Sequence, residues 1–314
     1  MLPCDIAPSQ GAAPNIQFMP LAPIPSGEQI LFNDWSLPDK LKSMKTDGSR
    51  VVEIFQAYRV WSLGVSPLDD VLAFAAGDPE QEANYGVTIG DAIQHTWIYR
   101  FSDQSVSLLS GGNINDECHT FAPVGCALFV CRRYDFTPEG MNKGYRIATI
   151  NLPSAEVNFL TPEVMAEYAL NPQVTPDAAL YYTRITVMGS QHSSIQRMTL
   201  PAGTPELVRD NAHGAVLTPD ATRYLYADST QMSALYIADI AGGNDQLVVN
   251  RPGTSARFSP DGSRIAYLLW DDSAACSHVE IAAVDGSMAE TPLRIRDCAA
   301  SGEFITELAW ITRP

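Results

Sequence analysis

The chain has 314 residues, 46% of them hydrophobic and 18% charged, which is enough apolar material for one large core. Acidic residues outnumber basic ones 36 to 20, a formal charge of -16. That balance argues against nucleic acid and against anionic membrane surfaces, which need clustered Lys and Arg. No run of 18 apolar residues occurs, so no transmembrane helix is expected.

Residues 1–27 hold six prolines and no clear periodicity, and they read as a Pro-rich N-terminal arm or linker. They lack a charged segment followed by an apolar one, so no signal peptide is expected in this sequence. Met1-Leu2-Pro3-Cys4 is what trimming such a segment would leave. Cys4 is then a lipid-anchor cysteine, which Pro3 fits badly, or a free or disulfide-bonded one.

From residue 28 onward a turn followed by an apolar strand recurs. Pro25-Ser26-Gly27 leads to Ile30-Leu31-Phe32, and Ser66-Pro67 to Leu72-Ala73-Phe74. Ala122-Pro123-Val124-Gly125 leads to Leu128-Phe129-Val130, and Thr175-Pro176-Asp177 to Leu180-Tyr181-Tyr182. Thr218-Pro219-Asp220 leads to Tyr224-Leu225-Tyr226, and Ser259-Pro260-Asp261-Gly262 to Ile265-Ala266-Tyr267. In the last copy Pro fixes φ, Asp caps the turn and Gly accepts a positive φ. A further strand from His278 to Val284 ends in the hairpin signal Asp285-Gly286-Ser287. The six prolines are 42, 56, 53, 43 and 41 residues apart. Four antiparallel strands at that period predict an all-β, six-bladed β-propeller over residues 28–314 as a single domain.

The first blade lacks an inner strand of its own, and residues 306–311 supply one, with Trp310 where Phe258 and Phe121 stand in their repeats. Val65, Val174 and Leu217 fill the same place elsewhere. The C-terminal strand is therefore expected to complete the N-terminal blade and hide two sheet edges; the alternative is that Leu21 to Ile24 provides that strand. Blades two and three carry long insertions, residues 77–94 and 132–143, on the face of the blade-to-blade connections. Long loops on one rim of a rigid scaffold commonly carry binding.

The segment from Ser259 to Tyr267, followed by Val279 to Gly286, resembles the repeat of the TolB-type (WD-like) β-propellers. The resemblance is close in blade six, good in blades four and five, and degenerate in blades one to three. It implies a non-catalytic protein-binding or scaffolding propeller of the bacterial cell envelope; separately, the chain is expected to be a monomer. The motif is specific for fold and poor for function, because propellers host unrelated activities.

Six cysteines in a chain of this size fit an oxidising compartment, and a periplasmic or otherwise extracytoplasmic location is expected. The hairpin turning at Val124-Gly125 sets Cys118 opposite Cys131, and Cys276 and Cys298 flank the outer strands of blade six. Disulfides Cys118–Cys131 and Cys276–Cys298 are predicted; Cys126 has no evident partner but Cys4. Reduced, buried cysteines are the alternative.

No nucleophile elbow, zinc-protease helix, phosphate loop or dinucleotide fingerprint is present, and without a Cys-x-x-Cys pair zinc is not expected. Asp78 to Asn84 carries oxygen ligands at alternate positions but lacks the glycine and closing Glu of a calcium loop, so calcium there is a remote alternative to no cofactor. Counting four residues before the Phe258 position gives Trp61, Glu117, Leu170, His213, Thr254 and Thr306 around the expected channel mouth, with His119 entering if the register slips by one. An aromatic, a carboxylate and an imidazole at one opening suit a ligand or partner site, and Glu80 belongs to the acidic rim. Tyr181, Tyr182, Tyr224 and Tyr226 read as core. Two function classes follow: a binding propeller engaging another envelope protein, or a small-ligand or sugar-processing propeller acting at the channel mouth.

Overall fold

The computed structural model describes residues 4–6, 18–35, 39–67, 70–77, 93–124, 126–134, 144–164, 167–186, 192–230 and 234–313. Blade one takes β1 (Met19–Pro20), β2 (Gly27–Asp34), β3 (Lys40–Lys45) and β4 (Val52–Gln56). Blade two is β5 (Trp61–Val65), β6 (Val71–Gly77), β7 (Gln94–Arg100) and β8 (Val106–Ser110). Blade three is β9 (Ile114–Phe121), β10 (Ala127–Tyr134), β11 (Arg146–Asn151) and β12 (Val157–Phe159). Blade four is β13 (Glu167–Val174), β14 (Ala179–Thr186), β15 (His192–Thr199) and β16 (Glu206–Asp210). Blade five is β17 (Ala212–Leu217), β18 (Arg223–Asp228), β19 (Leu235–Asp239) and β20 (Gln246–Val249). Blade six is β21 (Gly253–Phe258), β22 (Arg264–Asp271), β23 (Cys276–Ala283) and β24 (Leu293–Arg296), followed by a single helical turn α1 (Cys298–Ser301) and β25 (Leu308–Arg313).

Each of blades two to six is a four-stranded meander, and blade one has the order β1-β4-β3-β2-β25. The architecture is a six-bladed β-propeller of four-stranded antiparallel blades. The C-terminal strand completes the first blade: β25 pairs β2 with Trp310 opposite Ile30 and Leu308 opposite Phe32. The segment around Leu21 is instead at the other edge, where the Leu21 amide donates to the Ile54 carbonyl at 2.9 Å. That excludes it as the inner strand.

The equivalences read from sequence are the registers of the first hairpin in every blade. Phe258 faces Ile265, Phe121 faces Leu128, Val65 faces Leu72, Val174 faces Leu180 and Leu217 faces Tyr224. Side chains alternate across each strand, so one register fixes which residues enter the core. The turn chemistry repeats as well. Ser259 Oγ donates to Asp261 at 2.6 Å, Asp261 accepts from the Ser263 amide at 3.0 Å, and Gly262 takes φ 72°. The Ser259 hydroxyl and the Ser263 amide hold the Asp261 carboxyl down at about 2.

The chain clusters into two compact units. One comprises Met1–Met19, Ala57–His192 and Arg197–Glu206; the other comprises Pro20–Gln56, Ser193–Gln196 and Leu207–Pro314. In the first, Val71, Ile98, Phe121, Leu128 and Ile150 form one core and Phe129, Ile147, Leu180, Tyr182 and Met198 another. Cys4 and Ile6 pack against the former, and Phe18 meets Trp97 at 4.6 Å between ring centres. In the second unit, Leu225, Ile237, Phe258, Ile265 and Tyr267 form one core, and Ile30, Phe32, Leu268, Ile281 and Trp310 the other.

Three disulfides join Cys4 to Cys126, Cys118 to Cys131 and Cys276 to Cys298, with Cα separations of 5.6, 5.4 and 6.0 Å. The sulfur of Cys4 is thus committed to Cys126, and a thioether lipid on the same atom is incompatible with this structure. In blade three the expected register holds from Phe121 to Thr120 and then slips, so that Cys131 faces Glu117 and Cys118 occupies a bulge with φ 56°. The bulge turns the Cys118 side chain without preventing the bridge.

Candidate functional site

The inner strands share one irregularity. In five blades the register shifts at a residue with positive φ: Ser62, Cys118, Asn171, Gly214 and Ser255, with φ between 47° and 69°. A bulge adds one residue, bends the strand and re-aims its neighbours. The residues predicted for the channel mouth, Trp61, Glu117, Leu170, His213 and Thr254, each immediately precede one of these bulges. Thr306 precedes β25 outside any strand, where the Asn33 side chain bridges it, accepting from the Thr306 and Glu307 amides at 3.0 and 2.8 Å. The bulge residues also link successive blades within each unit. The His119 amide donates to Ser62 Oγ at 2.9 Å, and Ser255 Oγ donates to the Thr306 carbonyl at 2.9 Å.

In the first unit, Trp61 and Glu117 are half-buried and His119 is 4% exposed. His119 is held on both ring nitrogens, Nδ1 lying 2.9 Å from the Ser62 carbonyl and Nε2 3.0 Å from Thr96 Oγ. Burial pushes its pKa down to about 4, so it is a neutral structural imidazole at neutral pH. Beside it Asp116 is fully buried, bonded by Arg132 through Nε and Nη2 at 2.6 Å each, and accepts from Thr96 at 2.8 Å and Ser110 at 2.5 Å. Burial opposes its ionisation, but the Arg132 charge and these donors outweigh it and lower its pKa. In the second unit His213 is half-buried with its pKa lowered by burial, and Thr254 is exposed. Glu80 and the rest of Asp78 to Asn84 lie outside the described residues.

Glu117 leads to a different place. Its carboxylate accepts from Tyr145 OH at 2.8 Å and from Asn115 Nδ2 at 2.9 Å, while burial raises its pKa against both. Tyr145 in turn lines a cleft of about 330 Å³ with Thr161, Val164, Tyr168, Tyr182 and Arg184 among its walls. The rings of Tyr145 and Tyr168 meet edge to face at 5.8 Å, and the Arg133 guanidinium stands 5.2 Å from the Tyr145 ring centre. Arg184 is anchored on Glu167, its Nε donating to Oε2 at 2.9 Å. Strand starts and ends build the cleft: Tyr145 just ahead of β11, Tyr168 at the start of β13, Arg184 near the end of β14. Gly144 permits it, because a Cβ there would sit 1.4 Å from the Glu167 carbonyl oxygen.

Sequence reasoning found Glu117 but missed Tyr145, Tyr168 and Arg184, and it read Tyr182 as core. Tyr182 is 4% exposed and does both jobs. The available signal was aromatic residues at strand ends beside Gly144, too common a pattern to single out.

The fold and cleft define a six-bladed propeller with an aromatic recess in one compact unit. No known family model and no curated protein matches the sequence. In structure the chain is similar to TolB from Acinetobacter baumannii, with a TM-score of 0.69 at 16% identity over 92% of this chain and 67% of that one. It is also similar to a protein described as TolB from Agrobacterium tumefaciens, with a TM-score of 0.63 at 12% identity over 92% of this chain and 99% of that one. A chain of a nidogen/laminin complex gives 0.64 at 9% identity, covering 92% of this chain and 100% of that one. The fold is the TolB-type propeller, and at these identities the likeness is one of fold.

Proposed function

We propose that the chain is a non-catalytic protein-binding propeller of the bacterial cell envelope. On this reading residues 28–314 form one functional domain, residues 1–27 precede it as an arm, and the folded chain is monomeric. The observation that carries the reading is the tyrosine-walled cleft, since rigid aromatic side chains and Arg are what protein-binding patches are enriched in. Three disulfides support an oxidising compartment. The titratable groups of β9 support binding over catalysis: Asp116, Glu117 and His119 are each engaged by internal donors and acceptors. The sequence-based candidates are kept as proposed contact residues, Trp61 and Glu80 for the unit that holds the cleft and, separately, His213 and Thr254 for the other unit. The competing reading is a small-ligand or sugar-processing propeller, favoured by a cleft volume in the small-molecule range.

The test immobilises the full chain and captures proteins from an envelope extract of the source bacterium. One retained protein should bind about thirtyfold more weakly to Tyr168→Ala and to Trp61→Ala, the equivalent of about 2 kcal/mol for an aromatic anchor. Both variants should keep the parent melting transition. Retention that neither variant weakens would overturn the reading, and a thermal shift with small glycans alone would favour its competitor.

A further inference from the structure

Blade six holds a group of side chains that the binding reading does not use. Cys276 and His278 lie two apart on β23, so both point to the same side of the sheet, and they are 7% and 2% exposed. Against them packs α1, which opens with Cys298, 1% exposed, and is capped by Asp297 through bonds from the Ala299 and Ala300 amides. His278 Nδ1 is 3.6 Å from Cys298 Sγ and 3.6 Å from Asp297 Oδ1. The donor atoms of His278, Asp297 and Cys298 all lie within 4.8 Å of one another. Cys276 Sγ is bonded to Cys298 Sγ, so it is at the same spot.

We propose that reduction of Cys276–Cys298 converts this cluster into a tetrahedral zinc site with ligands Cys276, Cys298, His278 and Asp297. Zinc–nitrogen and zinc–sulfur bonds of about 2.1 and 2.3 Å imply ligand-to-ligand edges of roughly 3.5 Å. That is close to the 3.6 Å from His278 Nδ1 to Cys298 Sγ and to Asp297 Oδ1, while the two sulfurs move apart to that spacing once their bond is reduced. The histidine is prepared for the role from behind. Its Nε2 lies 3.1 Å from Asp271 Oδ2, and a carboxylate can only accept, so the neutral ring carries its proton on Nε2 and presents a lone pair at Nδ1. The Cys298 amide, donating to Nδ1 at 3.4 Å, marks that lone pair. Asp271 is itself fixed by Ser273, whose amide and hydroxyl donate at 2.9 and 2.6 Å. A carboxylate that orients a histidine through one nitrogen and leaves a lone pair on the other is the usual support of a zinc ligand, and zinc would take that lone pair in place of the Cys298 amide.

In the oxidised chain both sulfurs are spent in the bridge and no thiolate is available to a metal. A dithiol reductant delivers two electrons and two protons, becomes a disulfide itself, and leaves two thiols. Zinc binding then releases those two protons to solvent as the thiolates coordinate. Disulfide and metal thus hold the same two points, the start of β23 and the turn after β24, under opposite redox conditions.

The experiment titrates cobalt(II) as a zinc probe into the full-length chain, oxidised and after anaerobic phosphine reduction. Reduced wild type should bind one equivalent with thiolate charge-transfer and intense tetrahedral visible bands, and zinc should displace it. Oxidised protein should show neither band. A Cys118→Ala/Cys131→Ala variant should keep the signal. His278→Gln should abolish the tetrahedral bands, and Asp271→Asn should weaken affinity by about 10–100-fold. Both of these variants retain the disulfide when oxidised, so their folding is checked by circular dichroism in that state. No bands in reduced wild type, or bands that survive His278→Gln or vanish with the Cys118/Cys131 pair, would overturn the site.

Discussion

His119 shows how burial turns a residue type that suggests chemistry into a structural element. Its pKa in the fold is about 4 against 6.5 unfolded, chiefly through burial. Between those values the unfolded chain binds more protons, so this residue's contribution to stability is present above the window and is lost as pH falls through it. The gap corresponds to roughly 3 kcal/mol at most. Glu117 acts with the opposite sign: its raised pKa makes its contribution fade as pH climbs from 4.5 upward. Comparing wild type with His119→Gln isolates the histidine. Urea unfolding from pH 4 to 6.5 should give a wild-type stability that rises more steeply, by about one proton; parallel curves would show that His119 is not buried as described.

At the scale of the element, the bulged inner strand and the closing strand set what the propeller can present. Asn171 and Gly214 stand where bulges demand positive φ, and Ala178 and Ala221 take φ 63° and 54° where blade six has Gly262. An alanine there costs about 1 kcal/mol more than glycine, which is why the repeat is harder to recognise in those blades. The register nonetheless survives, because alternation of apolar residues over the core constrains it more than one turn residue does. The strand β25 closes blade one through six residue pairs with β2, from Gly27 opposite Arg313 to Phe32 opposite Leu308. Removing residues 304–314 exposes the β2 edge and strips Trp310 and Leu308 from their core. The truncated chain is expected to aggregate or to lose its cooperative melting transition. A soluble truncation melting like the parent, followed by circular dichroism, would show that the closing strand is dispensable.

For the molecule as a whole, the disulfides span very different lengths of chain. Cys4 and Cys126 are 122 residues apart, whereas Cys118 and Cys131 are 13 apart. Loop-closure entropy then ranks the first bridge above the second, at about 4–5 against 3 kcal/mol. Cys4→Ser/Cys126→Ser should therefore lower unfolding stability more than Cys118→Ser/Cys131→Ser in urea titrations under non-reducing conditions. Peptide mapping of the parent should recover all three bridges. The reverse ranking would mean that the segment around Cys4 is held by packing against the core around Leu128 rather than by the bridge, a role open to Ile6 in the same core.

What the sequence determined was everything carried by local pattern and period. Turn residues that tolerate few alternatives and strict alternation within strands made the six blades, their first-hairpin registers and the closing role of Trp310 legible. Cysteine placement made two bridges legible: the turn at Val124-Gly125 brought Cys118 near Cys131, and the ends of the outer strands of blade six brought Cys276 near Cys298. The rest needed three dimensions. The tyrosine cleft draws Tyr145 from one blade and Tyr168, Tyr182 and Arg184 from the next, joined across the close approach of Gly144 to Glu167. The one-residue slip at Cys118 and the enclosure of His119 were likewise out of reach, since a bulge and a desolvated ring depend on neighbours distant in sequence. Local order is written residue by residue, whereas a site is written by which strands meet, and only the packed sheets decide that.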